Sequence, residues 1–259
     1  MLLGLAGVAC CSAFDGHAMA DTFQRGLVSL TYDDGLDSQL ERAVPALDGR
    51  GLRGTFYVTW ENIEARAAEW RAIAALGHEL ANHTMTHPCS IESFTASRYR
   101  KQVEALERRL EQWQPTLPAR DFSYPCDVTD LGPGSPNREL RRFKHLLQRE
   151  GIASARTSEG PPNSANWARR HPYRLQALAA GYDAPTLEEL LAYVRQAQRD
   201  RKWAIIVFHD VGPGAEAGEI AQDVHERLLD AIVQEKIPVL RVCDVIGARE
   251  RRTAETEVK

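Results

Sequence analysis

Leu27-Val28-Ser29-Leu30-Thr31-Tyr32-Asp33-Asp34-Gly35 is an apolar run that stops abruptly on two carboxylates and a glycine. Leu27 to Thr31 read as a buried strand, and Asp-Asp-Gly as the turn that closes it. Alone, such a turn says only where a strand ends. Further on, Gly77-His78-Glu79-Leu80-Ala81-Asn82-His83-Thr84-Met85-Thr86-His87-Pro88 places two imidazoles four residues apart. By itself that spacing fits two unrelated histidines as well as a site. Together the two stretches hold what a hydrolytic metal centre needs. Three protein ligands leave one position open, and a further carboxylate takes a proton from water. Asp34, His83 and His87 are the expected ligands, and Asp33 the expected base.

Working outward, apolar patterning alternates between two periods. Thr55 to Thr59, His78 to Ala81, Asp121 to Tyr124, Ile152 to Thr157, Trp203 to Phe208 and Ile237 to Val242 read as further strands. Between them, helical stripes recur. Examples are Leu40, Val44 and Leu47; Ile63, Ala67, Trp70 and Ile73; and Tyr99, Val103, Leu106, Leu110 and Trp113. Two further stripes are Leu140, Phe143 and Leu147, and Ile220, Val224, Leu228 and Ile232. Thr186 with Glu189 is a capping-box start. Ser158 to Tyr182 has little periodicity and reads as a long loop. The expected fold class is therefore α/β: about seven mainly parallel strands with helices outside. In such folds the chemistry collects at the carboxyl ends of the strands. Asp33 and Asp34, His83 and His87, Tyr124 to Asp127, Arg156 and His209 all fall there, where random placement would scatter them over both ends.

Composition excludes some classes. The chain has 259 residues, 43% hydrophobic and 26% charged, with a net charge of −4. Nothing in that balance points to nucleic acid or to an anionic membrane as partner. Met1 to Phe14 carry no charge, and Ala18-Met19-Ala20 resembles a cleavage site, so residues 1–20 read as a secretory signal and the mature protein as secreted or held in the cell envelope. A buried first strand or a misassigned start is the competing reading. The stretch is too short for a transmembrane segment. Residues 21–248 then form one catalytic domain, and 249–259 a charged tail. Of the cysteines outside the signal, Cys89, Cys126 and Cys243, a Cys89–Cys126 pair is conceivable, but buried free thiols are the favoured reading. His78 reads as structural, and His145 and His225 as surface residues of helices. Tyr57, Trp60, Trp167 and Tyr182 are candidates to stack on sugar rings, although aromatic residues at strand ends are more often core.

With these residues in place, the chain resembles the polysaccharide deacetylase family, the chitooligosaccharide deacetylase homology domain of carbohydrate esterase family four. The likeness runs from about Leu27 to Val245. Thr31-Tyr32-Asp33-Asp34-Gly35 is similar to the family's first motif, His78 to Pro88 to its second, and Val207-Phe208-His209-Asp210 to its last. The resemblance implies a distorted, partly open (β/α) barrel and removal of acetyl groups from a carbohydrate. It also implies a divalent ion, zinc before cobalt (Co2+) or nickel (Ni2+), on Asp34, His83 and His87. Asp33 would be the base, His209 the acid, and the backbone N–H of Cys126 the oxyanion donor. The third motif departs: where the family carries Arg, Tyr and Gly, this chain has Ser123, Cys126 and Asp127. Arg156 is the candidate to replace the missing arginine, with Tyr124 beside it. The fourth motif's Asp and Trp have only Asn166-Trp167 and Asp183 as weak counterparts. Deacetylation of an N-acetylglucosamine glycan leads, O-acetyl ester cleavage on xylan follows, and a non-catalytic carbohydrate-binding relative comes third.

Overall fold

The computed structural model describes residues 23–248 apart from 90–95, 130–135, 183–185 and 215. The proposed signal, the charged tail and Asp183 therefore lie outside the described residues. Seven strands form one sheet in the order β5-β4-β3-β2-β1-β7-β6. They are β1 (Leu27–Asp34), β2 (Thr55–Val58), β3 (Glu79–Asn82), β4 (Asp121–Ser123), β5 (Ser154–Arg156), β6 (Leu178–Ala179) and β7 (Trp203–Phe208). Every pairing is parallel. The sheet is curled and flanked by helices, the open, distorted (β/α) barrel expected. A parallel pair, β8 (Asp210–Gly212) and β9 (Glu219–Ala221), stands apart from it. Among the described residues, no helix is long and apolar enough to cross a membrane.

β1 is central because its two sides do different work. Val28, Leu30 and Tyr32 join the large apolar cluster with Phe56, Leu190, Val194, Ile206 and Leu228. The alternate residues Ser29, Thr31 and Asp33 point to the opposite face, as strand period demands. That face is polar and satisfied: Ser29 donates to the Leu240 carbonyl at 2.6 Å and Thr31 to that of Ile206 at 2.8 Å. Register then carries the pattern across the sheet, opposing Asp33 to Tyr57 and Ser123 to Arg156. Polar groups thus line one side of the strands as they approach the site.

Three readings of the sequence are corrected. Ile237 to Val242 is not a strand; it makes a single bridge, Val239 to Val28. Pro238 has no N–H to give a ladder, and the backbone-to-backbone bonds to β1 run from Val28 N to its carbonyl (2.9 Å) and from the Leu240 N–H to Val28 O (3.0 Å). The seventh strand is instead β6, two residues inside the supposed loop, too short to show a period. That loop also holds a helix, Ala165–Arg170, whose start is capped by the Ser164 hydroxyl accepting from Trp167 N–H. Finally, His225 is fully buried rather than on the surface, and bonds the Tyr32 hydroxyl at 2.8 Å. It shares a helical face with Leu228, Leu229 and Ile232, the spacing that turns it inward. His78 is buried as expected, with Gly54 N–H on Nδ1, and His145 is exposed. The Thr186–Glu189 capping box is present at the start of helix Leu187–Asp200.

The helix Ala96–Trp113 supports the second motif through Glu107. Asn82 donates to the Val103 carbonyl at 2.9 Å and to Glu107 at 3.0 Å, while its own oxygen accepts from Thr84 N–H. Burial pushes the Glu107 carboxyl from 4.5 up to about 7, outweighing the Asn82 bond and the Arg120 charge. The folded state then holds this proton more tightly than the unfolded chain. Glu107 favours folding most below about pH 4.5 and loses that contribution as pH rises to about 7. Urea denaturation at pH 5 and pH 8 should show the parent protein losing roughly 1–3 kcal/mol more than Glu107→Gln between the two.

Candidate active site

The carboxyl ends of β1, β3, β4, β5 and β7 open onto one cavity of about 430 Å³. Asp33, Asp34, His83, His87, Tyr124, Cys126 and His209 all line it. Asp34 stands at the end of β1 with φ 77°, a left-handed conformation that turns its carboxylate off the sheet. Its Oδ1 lies 3.5 Å from His83 Nε2 and 3.5 Å from His87 Nε2. These three donor atoms lie within 4.8 Å of one another and could hold a metal ion. The fit is chemical as well: tetrahedral ligands about 2.0–2.2 Å from one ion stand about 3.4 Å apart. His83 Nδ1 faces the Ser123 carbonyl at 2.9 Å. That bond places the proton on Nδ1, orients the ring and leaves Nε2 free to coordinate.

Asp33 is the other carboxylate, and it is nearly fully buried. Arg156 from β5 donates to its Oδ1 and is itself buried. Ser123 from β4 donates to its Oδ2 at 3.0 Å. Burial alone would raise the Asp33 carboxyl; the Arg156 charge, with His83 and His209, outweighs it and holds the group below the ordinary carboxylate range. For Asp34, burial is likewise outweighed, by the His83 bond and the imidazole charges, down to about 2. Arg156 thus reaches from β5 the same carboxylate that Ser123 reaches from β4. Its guanidinium lies over the Tyr57 ring, 4.3 Å from the centroid. Tyr57 is fully buried and donates to Asp121, so it serves the arginine rather than a sugar.

The opposite wall comes from the loop after β4. Cys126 and Asp127 both have positive φ, 51° and 56°. Asp127 holds this turn by accepting from the Ser158 N–H at 2.8 Å and from its hydroxyl. Cys126 is joined to Cys89 in a disulfide, which corrects the expectation of buried free thiols: both residues are exposed. β3 and β4 are neighbours, so the loops leaving their carboxyl ends meet. Closing a loop across a sequence separation of 37 contributes roughly 3–4 kcal/mol. Among the described residues, only Cys243 is free, and it is buried as read. Tyr124 donates to the Tyr173 carbonyl at 3.1 Å. His209 leaves β7 with its Nδ1 buried and without a partner among the described residues, and the edge of Tyr182 packs on it. Asn166 is exposed and accepts from Arg169. Ser123 was passed over in the sequence because a serine there looks like a loss; only its position opposite Arg156 shows its use.

Residues 20–128 match the family model described as polysaccharide deacetylase. This segment resembles the polysaccharide deacetylase family. The matched segment holds Asp33, Asp34, His83, His87 and Cys126, while Arg156 and His209 lie beyond it. The chain is similar to a chitin deacetylase of Colletotrichum lindemuthianum, 35% identical over 127 residues, 45% of this chain and 51% of the relative. It is also similar to a peptidoglycan-N-acetylglucosamine deacetylase of Bacillus cereus, 29% identical over 103 residues, 38% of this chain and 37% of the relative. The similarity thus spans about half or less of these relatives. In fold it is similar to a family 4 acetyl xylan esterase from Clostridium thermocellum, solved with a cobalt ion. The TM-score is 0.53 at 20% identity, over 85% of this chain and 89% of that one.

The ion pair behind Asp33 can be tested on stability alone. Arg156→Met leaves a buried carboxylate without its cation and should cost about 3–5 kcal/mol in urea denaturation of metal-free protein. Adding Asp33→Asn should recover much of that loss. Independent, additive effects of the two changes would show that the pair is not coupled.

Proposed function

We propose that this protein is a metal-dependent hydrolase that removes acetyl groups from a carbohydrate, and that its substrate is a glycan containing N-acetylglucosamine. The observation that carries the proposal is the convergence of Asp34, His83 and His87 on one point of the cavity, beside an ionised and clamped Asp33. In this reading residues 21–248 are the catalytic domain, and residues 1–20 direct the chain to the cell exterior, where such a polymer is met.

Asp34, His83 and His87 hold the ion; two imidazoles and one carboxylate suit zinc, and cobalt or nickel fit the same donors. Such an ion, when bound, supplies Lewis acidity toward water and the acetyl carbonyl. Asp33 takes the proton of the attacking water. Arg156 and Ser123 fix its carboxylate, so that the base does not turn away or remain protonated. The Cys126 N–H donates to the oxyanion as it develops, a contribution of roughly 2.7–4 kcal/mol for one such donor. The disulfide and the Asp127–Ser158 bonds keep that loop in place beforehand. His209 gives a proton to the departing amine.

An O-acetyl esterase acting on xylan or a similar glycan is the second reading, favoured by the likeness to the acetyl xylan esterase fold. The same residues serve, because only the departing atom differs. Acetate release from N-acetylglucosamine oligomers and from acetylated xylan, each with the protein stripped of metal and with zinc restored, separates the two. Zinc-dependent release from the amide substrate is expected. Asp33→Asn should still bind zinc in a calorimetric titration yet turn over about 100- to 10,000-fold more slowly. His83→Ala should lose both. Full activity in Asp33→Asn would overturn the assignment of the base, and release from xylan alone would favour the esterase.

A further inference from the structure

A second, smaller pocket of about 120 Å³ lies next to the first. Arg141 and Lys144 enter it from helix Pro136–Arg149, Arg170 from the end of helix Ala165–Arg170, and His171, Tyr173 and Arg174 from the segment after it. Arg141, Arg170 and Arg174 are exposed. Among the described residues, none of these arginines, nor Lys144, has a carboxylate partner, in contrast to Arg50, Arg66, Arg156, Arg195 and Arg241, which all do. Lys144 instead stands over the Tyr173 ring, 5.5 Å from its centroid. The imbalance is written in the sequence. Pro136 to Arg174 hold nine Lys and Arg against three Asp and Glu, in a chain whose net charge is −4. Several like charges converging on one concavity repel one another, and an anion there relieves that repulsion while gaining charge-assisted hydrogen bonds.

One pair of tyrosines links the two cavities. Tyr124 lines the larger cavity, and its hydroxyl donates to the carbonyl of Tyr173, which lines the smaller. At the rim, half-buried Trp167 packs on His171 with ring centroids 4.3 Å apart. Its indole N–H bonds the Arg174 carbonyl at 3.0 Å, which fixes the ring. A fixed aromatic ring beside a cationic pocket suits a sugar carrying an acidic group.

We propose that this pocket is a subsite for an anionic substituent, a carboxylate or a phosphate, on the same glycan whose acetyl group enters the larger cavity. The inference rests on the deacetylase reading and narrows its substrate to acidic rather than neutral polymers.

Calorimetric titration of the full zinc-loaded chain tests it with three probes of equal length. One is a neutral N-acetylglucosamine oligomer, the second carries a lactyl carboxylate on alternate sugars, and the third carries a phosphate ester there. At least one acidic oligomer should bind about tenfold tighter than the neutral one at low salt. High salt, or the double substitution Arg141→Ala and Arg174→Ala, should remove the advantage. The tighter acidic probe identifies the substituent. Acetate release from the neutral oligomer and the thermal midpoint should not change in the double variant. Equal affinity for all three oligomers, or a preference that survives the double variant, would overturn the proposal. So would charge-dependent binding to phosphatidylglycerol vesicles with no preference among the glycans. If the acidic preference holds while no oligomer releases acetate, the deacetylase reading fails and the subsite stands.

Discussion

The buried pair of Asp33 and Arg156 is the constraint on which the site depends. A carboxylate at the end of a central strand, shielded from water, is held ionised only if a cation is shielded with it. Arg156 meets that need from β5, at the far edge of the sheet, so the curl of the sheet is a condition of the pair. Other features follow from the same requirement. Tyr57 lies against the guanidinium. Ser123, opposite Arg156 in register, satisfies the remaining carboxylate oxygen. Behind them, Asp121 accepts from Tyr57, and burial together with Glu79 raises its carboxyl well above its usual range. The inner face of the sheet is therefore a graded polar stack, with a carboxyl pushed up by burial deep inside and one held down by Arg156 at the mouth.

How much of this could be read from the sequence depended on the range of the interaction concerned. Strands buried on both faces announce themselves as continuous apolar runs, so Trp203–Phe208 was read to the residue and β1 nearly so. Long amphipathic helices were equally plain, because their periodicity repeats over several turns. Local chemistry was legible wherever ligands share a short segment, as Asp33 with Asp34 and His83 with His87 do. What failed was short or long-range. β6 has two residues and no period to detect, and the strand expected at Ile237 to Val242 reduces to one bridge, with the Leu240 carbonyl and the Val242 N–H taken by the Ser29 and Thr55 hydroxyls. His225 looked like a surface residue because its charge type outweighed its helical spacing. The contact between Arg156 and Asp33, across a separation of 123 residues, was visible only as two residues at strand ends.

Restraints from several strands meet around this carboxylate. Arg156 from β5 and Ser123 from β4 share its two oxygens. Cys126 and Asp127, in the loop after β4, each add a restraint: a covalent tie to the loop that carries His87, and a pair of bonds to Ser158. Left-handed backbone at Asp34, His87, Cys126 and Asp127 concentrates around the cavity. Such conformations persist where surrounding bonds enforce them, and here the enforcing bonds can be named.

The disulfide also bears on where an ion would sit, because His87, Cys89 and Cys126 bring their own donors close together. His87 stands between two possible partners, with Nε2 toward Asp34 and Nδ1 at 3.5 Å from the Cys89 sulfur. X-ray absorption at the zinc edge on the oxidised, zinc-loaded protein decides between them. Coordination by Asp34, His83 and His87 gives a first shell of nitrogen and oxygen at about 2.0–2.2 Å with an imidazole scattering pattern and no sulfur. A sulfur shell at about 2.3 Å would contradict it: the Cys89–Cys126 disulfide would then have to be open and the ion held by the cysteine thiolates instead of by Asp34 and His83.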